Sequence, residues 1–178
     1  VAFSEFDEGR GIIHSVYPRS SILERAAVGR TGEKQVIATN IDFGIIVQSV
    51  NRDFNLNRLE RYLTICYSAK ISPIIVITKI DLIDELAVKE ILSDIGKRID
   101  DVPILAISNE SQIGIEALIS LIQTGKTYCL LGSSGVGKSS IINSLSGETL
   151  MKTGSISKTI DRGKHVTTHR ELVVLNNG

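Results

Sequence analysis

Gly132-Ser-Ser-Gly-Val-Gly-Lys-Ser139 is the stretch of sequence that decides the fold of this chain. It follows the pattern G-x-x-x-x-G-K-S, in which glycines let the backbone turn so that successive N–H groups point at a polyphosphate. In such a loop the lysine reaches the β- and γ-phosphates and the last hydroxyl ligates Mg²⁺. The predicted phosphate-binding residues are therefore Gly132, Ser133, Ser134, Gly135, Val136, Gly137, Lys138, Ser139 and Ser140, with Ser139 also a Mg²⁺ ligand.

Apolar runs around this loop predict an α/β fold with a mainly parallel sheet flanked by helices. From residue 41, runs typical of buried strands alternate with stretches of helical periodicity, which is the pattern of βαβ units. Strands are predicted at 44–49, 74–78, 104–108, 127–131 and 172–175, and helices near 55–70, 85–99, 115–123 and 139–145. The helical core positions are Leu59, Leu63 and Cys66 and, more loosely spaced, Leu86, Ile91 and Ile95.

The first forty residues have a different pattern. Short apolar runs at 11–17 and 35–39 are separated by proline and glycine, which is typical of strands joined by turns. We therefore expect two units, a partial β module over residues 1–40 and an α/β domain over residues 41–178.

A second nucleotide-binding element precedes the phosphate loop. Thr78-Lys-Ile-Asp81 ends a predicted strand and resembles the N-K-x-D guanine motif, although such a tetrapeptide alone also fits a plain strand-end turn. A carboxylate can accept hydrogen bonds from the ring N–H and the amino group of guanine, and adenine presents no such donors on that edge. The lysine stem can pack along the base. The run Ile104–Ser108 fits the other base-contacting loop, usually S-A-x, although Asn109 replaces the alanine. The predicted guanine site is Thr78, Lys79, Asp81, Ser108 and Asn109.

The order of these two elements is the reverse of that in an ordinary P-loop NTPase, where the phosphate loop opens the domain. The chain ends at Gly178, too soon after Ser139 to hold the rest of a nucleotide-binding domain. A single GTPase domain can be assembled only if its base-binding half comes first, so the order predicts circular permutation.

The motifs in this order resemble the RsgA/YjeQ family of circularly permuted GTPases. Pro18-Arg-Ser-Ser-Ile-Leu-Glu-Arg25 is similar to the family's OB-fold segment, and Ala38-Thr-Asn-Ile-Asp42 to its domain junction. Arg162-Gly-Lys-His-Val-Thr-Thr-His169 is similar to its switch, commonly G-R-x-x-H-T-T-T. The family assists late maturation of the small ribosomal subunit and couples an OB-fold to the permuted domain and to a C-terminal zinc-binding domain.

The resemblance implies GTP hydrolysis with GTP or GDP and Mg²⁺ as cofactors. It implies the small ribosomal subunit and its rRNA as partners. A cytoplasmic location and no membrane are expected from the two cysteines, the polar first residues and the lack of a long apolar run. It also implies that the switch histidine, here His165, orients the attacking water, and that Thr167 joins Ser139 on Mg²⁺. A neutral imidazole suits this role because it can accept from water near pH 7.

Four features depart from the family pattern. Thr78 replaces asparagine, which we expect to remove a tethering amide, and Val166 replaces a threonine of the switch. The chain reaches Gly178 before the D-x-P-G motif that should follow residues 172–175, and it holds no C-x-x-C pair, so zinc is expected only in a domain absent from this chain. We therefore expect a fragment of a longer protein with an incomplete active site.

The composition is compatible with the predicted GTPase domain and excludes few other function classes. The 178 residues are 42% hydrophobic with zero net charge, which argues against a strongly basic nucleic-acid footprint over the whole chain. Cys66 and Cys129 are expected to be reduced core residues. No apolar run approaches the roughly 18 residues that a membrane span needs.

Other functions remain open on the sequence alone. A P-loop ATPase or kinase would make Asp81 incidental, and an RNA-binding module could act without nucleotide. Residues 151–170 lack an apolar period and follow the phosphate-loop helix, where a GTPase places its first switch. The basic residues of this segment could meet rRNA phosphates or could be solvated; they are Lys152, Lys158, Arg162, Lys164 and Arg170.

Overall fold

The structure is a computed structural model that describes residues 1–6, 9–26, 34–51, 54–151 and 172–175. Two antiparallel hairpins precede a region in which strands and helices alternate. The strands are β1 (Ala2–Phe6), β2 (Arg10–Ser15), β3 (Ile22–Ala26), β4 (Lys34–Thr39), β5 (Phe43–Ser49), β6 (Ser72–Thr78), β7 (Ile104–Ala106) and β8 (Tyr128–Leu131). The helices are α1 (Leu56–Ser68), α2 (Glu85–Gly96), α3 (Ile115–Ser120) and α4 (Lys138–Ser146), with a short 3₁₀ turn at Ile80–Leu82.

A four-stranded parallel sheet in the order β7-β6-β5-β8 is the framework of the α/β region. In β5, Ile45 lies opposite Ile74 of β6 on one side and Leu130 of β8 on the other. β5 and β6 are nearly continuous apolar runs, because both faces of a parallel sheet are covered by helices. The predicted α/β class and parallel sheet are confirmed.

Alternate side chains of the strands fill two separate cores. Ile46 and Ile75 pack on one face with Leu59 of α1 and Ile95 of α2. Ile45, Val47 and Val76 pack on the other face with residues of α3 and α4. The sheet is therefore the middle of three layers. Burial of each such aliphatic side chain stabilises the fold by about 1.5–3 kcal/mol.

Most predicted helical core positions are buried, but Leu86 is not. Ile95 is fully buried and Ile91 packs against the core, whereas Leu86 is 73% exposed. Leu86 and Ile91 are five positions apart, which corresponds to about 140° of rotation around an α-helix. Leu86 consequently lies on the solvent face of α2 beside Lys89 and Glu90.

One element end agrees with its prediction and another does not. Asn55 caps α1 by accepting from the Arg58 N–H (3.0 Å), close to the predicted start of that helix. The predicted strand 104–108 stops at Ala106, because the Ser108 N–H leaves the sheet and bonds the carbonyl of Ile113 (2.9 Å) in the following loop.

The predicted strand at 172–175 is wrong. These four residues have no strand partner among the described residues, and Leu172 and Val174 are more than three-quarters exposed. A short apolar run indicates a strand only where a neighbouring strand supplies the ladder of hydrogen bonds.

The N-terminal residues form two hairpins, β1–β2 and β3–β4, which include the two predicted strands. The second hairpin packs on the α/β region: Leu23 is buried in the core, and the Ser21 hydroxyl exchanges two 2.7 Å hydrogen bonds with the backbone of Ile41. β2 is exposed along its whole length. The predicted boundary at residue 40 stays a prediction.

Candidate functional site

The phosphate loop leaves β8 in a backbone conformation that only glycine adopts readily. Gly132 has φ +152°, and a Cβ there would collide with the backbone carbonyl of Val47 in β5. Gly137, at φ +101°, forms the N-cap of α4. The loop thus passes over the end of β5 and turns its residues towards the N-terminus of α4, where unpaired N–H groups attract anions.

Lys138 folds back over this loop. Its ammonium donates to the carbonyls of Gly132 (2.9 Å) and Ser133 (2.6 Å), and burial lowers the pKa of Lys138. Ser139 and Ser140 follow in the first turn of α4 and are half-buried. The lysine charge is therefore held at the start of the loop, partly shielded from bulk water.

Thr78 joins the predicted base motif to the phosphate loop. It ends β6 and is fully buried, with its hydroxyl donating to the carbonyl of Val136 (2.6 Å) and also 3.2 Å from the carbonyl of Gln48. We expected threonine to remove a tethering amide at this position. The amide is absent, but the Thr78 hydroxyl itself reaches the loop and joins the two segments.

Lys79 makes a second contact between the same two segments. Its backbone is left-handed at φ +63°, and its ammonium donates to the carbonyl of Gly135 (2.7 Å). Gly135 and Val136 are neighbours in the loop, so the base motif contacts its second half while Lys138 contacts its start.

Asp81 and Ser108 lie together at the ends of neighbouring strands. The Ser108 hydroxyl, which is buried, donates to the exposed Asp81 carboxylate at 2.5 Å and accepts from the Ser111 N–H at 3.0 Å. The next residue, Asn109, accepts from the Ser144 hydroxyl of α4 at 3.1 Å. The two predicted base-contacting loops are thus directly joined.

All predicted site residues that the structure describes converge at one edge of the sheet. They follow the carboxyl ends of β6, β7 and β8, which is where parallel α/β sheets bind ligands. His165 and Thr167 lie outside the described residues, as do the five basic residues of the predicted switch segment. Within the described ranges no group of three or more histidine, cysteine or acidic side chains could hold a metal ion.

Two residues near this edge were missed from the sequence. Gln48 is buried at the end of β5, where its side chain bonds both the N–H and the carbonyl of Asn55 (2.9 and 3.0 Å). Arg58, in the first turn of α1, donates to the Ser133 hydroxyl at 3.0 Å. A polar residue inside the apolar run of β5 was a visible signal for Gln48, whereas nothing in the sequence singled out Arg58.

Comparison with known proteins decides the family. The RsgA GTPase family matches residues 16–178. The chain belongs to the RsgA GTPase family. It is 43% identical over 178 residues to the small ribosomal subunit biogenesis GTPase RsgA of Methanosarcina acetivorans, covering all of this chain and 48% of that protein. It is 47% identical over 166 residues to RsgA 1 of Listeria innocua, covering 93% of this chain and 47% of that protein.

Solved structures agree with the RsgA assignment. YjeQ from Thermotoga maritima superposes with a TM-score of 0.64 at 26% identity, over 80% of this chain and 48% of that one. YloQ, described as a circularly permuted GTPase, superposes with a TM-score of 0.62 at 27% identity, over 82% and 48%. The permuted fold predicted from motif order is confirmed. The chain spans about half the length of the curated relatives it matches.

No helix among the described residues is long and apolar enough to cross a membrane.

Proposed function

We propose that this chain binds a guanine nucleotide and that the protein containing it hydrolyses GTP in maturation of the small ribosomal subunit. The observation that carries the proposal is the 2.6 Å bond from Thr78 to the Val136 carbonyl. It holds the base motif against the phosphate loop, so that one nucleotide can span both. The names of the relatives support the ribosomal role.

The phosphate half of the site fits a polyphosphate. The loop from Gly132 to Gly137 presents backbone N–H groups and ends at the N-terminus of α4, and the Lys138 ammonium lies over its start. With nucleotide bound, Lys138 would exchange its two carbonyl partners for phosphate oxygens. Partial burial strengthens this attraction because it removes some of the water around the Lys138 charge.

The base half fits guanine. The Asp81 carboxylate is exposed, so its outer oxygens can accept from the two N–H donors on one edge of guanine. Ser108 donates to this carboxylate and fixes its direction, while Asn109 is held by α4. Adenine would offer the Asp81 carboxylate no donors from its base edge, and an unmatched carboxylate at a binding surface disfavours binding.

The reaction itself rests on positioning and charge neutralisation. Mg²⁺, when bound, would neutralise phosphate charge; we assign Ser139 and, by resemblance, Thr167 as its ligands. We assign His165, also by resemblance, to orient the attacking water through its neutral ring nitrogen. The proposed ribosomal role includes contacts to rRNA and a cytoplasmic location. Zinc remains a prediction that concerns only a C-terminal domain absent from this chain.

The two other function classes are less well supported. An ATPase or kinase gives no role to the Ser108–Asp81 bond or to the second loop that it holds. An RNA-binding module that acts without nucleotide gives no role to the buried Thr78 tether. Both alternatives predict that Asp81 does not affect nucleotide choice.

Competition of GDP, ADP and XDP against a fluorescent nucleotide tests the proposal on the parent chain and on Asp81→Asn. Asp94→Asn is the matched control, because Asp94 is an exposed aspartate on the outer face of α2. We expect GDP to win on the parent and on the control. In Asp81→Asn, GDP should bind at least about tenfold more weakly, because hydrogen bonds to a charged group contribute about 1.5–3 kcal/mol. Its preference should move towards XDP. Equal GDP and ADP affinities, unmoved by the substitution, would refute the guanine assignment.

A further inference from the structure

Two cationic side chains converge on one residue of the phosphate loop. The Lys138 ammonium contacts the backbone carbonyl of Ser133 at 2.6 Å, and the Arg58 guanidinium contacts the Ser133 hydroxyl at 3.0 Å. Covalent dimensions within one serine place the two charged groups within roughly 10 Å of each other. The lysine belongs to the loop motif, whereas the arginine comes from α1, a helix that lies outside every predicted motif.

The fold places Arg58 there through a chain of hydrogen bonds. Buried Gln48 binds both backbone groups of Asn55, and the Asn55 side chain caps α1 by accepting from the Arg58 N–H. The first turn of α1 is therefore fixed to the end of β5, beside the loop. Arg58 is half-buried, so less of its charge is screened by water than at an open surface.

The point at which Arg58 contacts the phosphate loop indicates which part of the nucleotide this side chain would meet. Thr78 and Lys79 contact Val136 and Gly135, so the base lies towards the second half of the loop. Arg58 contacts Ser133 at the start, where Lys138 also lies. Since the lysine of this motif reaches the β- and γ-phosphates, Arg58 lies at the terminal-phosphate end.

We propose that Arg58 is a second cation of the nucleotide site and recognises the terminal phosphate of a nucleoside triphosphate. This inference rests on the proposed nucleotide binding and extends it to a residue outside the known motifs. A guanidinium matches phosphate geometry because its planar N–H groups can donate two parallel bonds to phosphate oxygens. With a triphosphate bound, Arg58 would turn from the Ser133 hydroxyl to the γ-phosphate. GDP lacks that phosphate and would leave the Ser133 bond in place.

The test compares a non-hydrolysable GTP analogue with GDP on the full 178-residue chain and on Arg58→Met, Arg58→Lys and Arg61→Met. Arg61→Met is the matched control, because Arg61 is an exposed arginine of the same helix. We expect Arg58→Met to weaken the triphosphate analogue about tenfold or more and GDP less than threefold. Arg58→Lys should recover part of the loss by restoring the charge, and Arg61→Met should bind like the parent.

The outcomes separate this inference from the proposed function. If the parent binds GDP and the analogue and Arg58→Met changes both equally, Arg58 only supports the loop and the inference is overturned. Affinities of Arg58→Met that both equal those of the parent overturn it as well. If the parent binds neither nucleotide, the proposed function fails and the inference falls with it. Urea unfolding of each variant shows whether any loss of binding follows from loss of fold.

Discussion

The Thr78 hydroxyl gives the sharpest test of how the two halves of the site are joined. Thr78→Val removes this hydroxyl and keeps the shape of the side chain. The Val136 carbonyl then loses a 2.6 Å donor in a place where both residues are buried, at 0% and 1% exposure, and where water cannot replace it. Leaving a buried polar group without its partner costs about 1–3 kcal/mol.

Urea unfolding measures this cost directly. With a slope of about 2 kcal/mol per M, a loss of 1–3 kcal/mol lowers the midpoint by about 0.5–1.5 M. Thr64→Val is the matched control: its hydroxyl donates to the Glu60 carbonyl at 2.9 Å on the exposed side of α1, where water can take over the bond. We expect that variant to unfold within about 0.5 kcal/mol of the parent.

The same variant has an expected effect on ligand binding. The hydrogen bond from Thr78 to the Val136 carbonyl aligns the base motif with the phosphate loop. GDP affinity should therefore fall in Thr78→Val even without urea, where the variant is fully folded. Equal stability of Thr78→Val and Thr64→Val would refute the reasoning, since it would mean that the buried hydroxyl adds nothing beyond an exposed one.

Further predictions concern the thiols and one carboxylate. Burial raises the pKa of Cys66 to about 11 and that of Cys129 to about 12, so at pH 8 about one Cys66 thiol in a thousand is ionised. Iodoacetamide should therefore label both at least about 100-fold more slowly in the folded chain than in urea, and equal rates would show that the thiols are accessible. The Thr127 N–H and the Lys126 ammonium hold the pKa of Asp42 below its usual value, so this carboxylate stabilises the fold above about pH 4 and the effect is lost as pH falls through the folded pKa. Asp42→Asn should lower the urea midpoint at pH 7, and its difference from the parent should shrink as pH falls below about 4 and through the folded pKa. A constant difference across this range would contradict the charge-based explanation.

Local pattern was enough to predict the layers of the fold, because hydrophobic periodicity reports which faces are buried. The apolar runs of β5 and β6 and the glycines of the phosphate loop are local signals. Leu86 and residues 172–175 show the limit of such signals. An apolar residue indicates burial only if the helix turns it inward, and an apolar run indicates a strand only if a partner lies beside it.

The sequence by itself determined the phosphate loop, the base motif and the permuted order of the two, since each depends on residue types at fixed spacing. Only the tertiary structure decided how the halves are joined. Thr78 and Val136 are 58 positions apart, and Arg58 and Ser133 are 75 apart. Contacts over such separations depend on the strand order and on how α1 packs against β5 and β8 pairs with it. No local pattern encodes these contacts. The sequence therefore did not predict that the Thr78 hydroxyl joins the base motif to the phosphate loop, or that Arg58, which belongs to no motif, lies beside that loop.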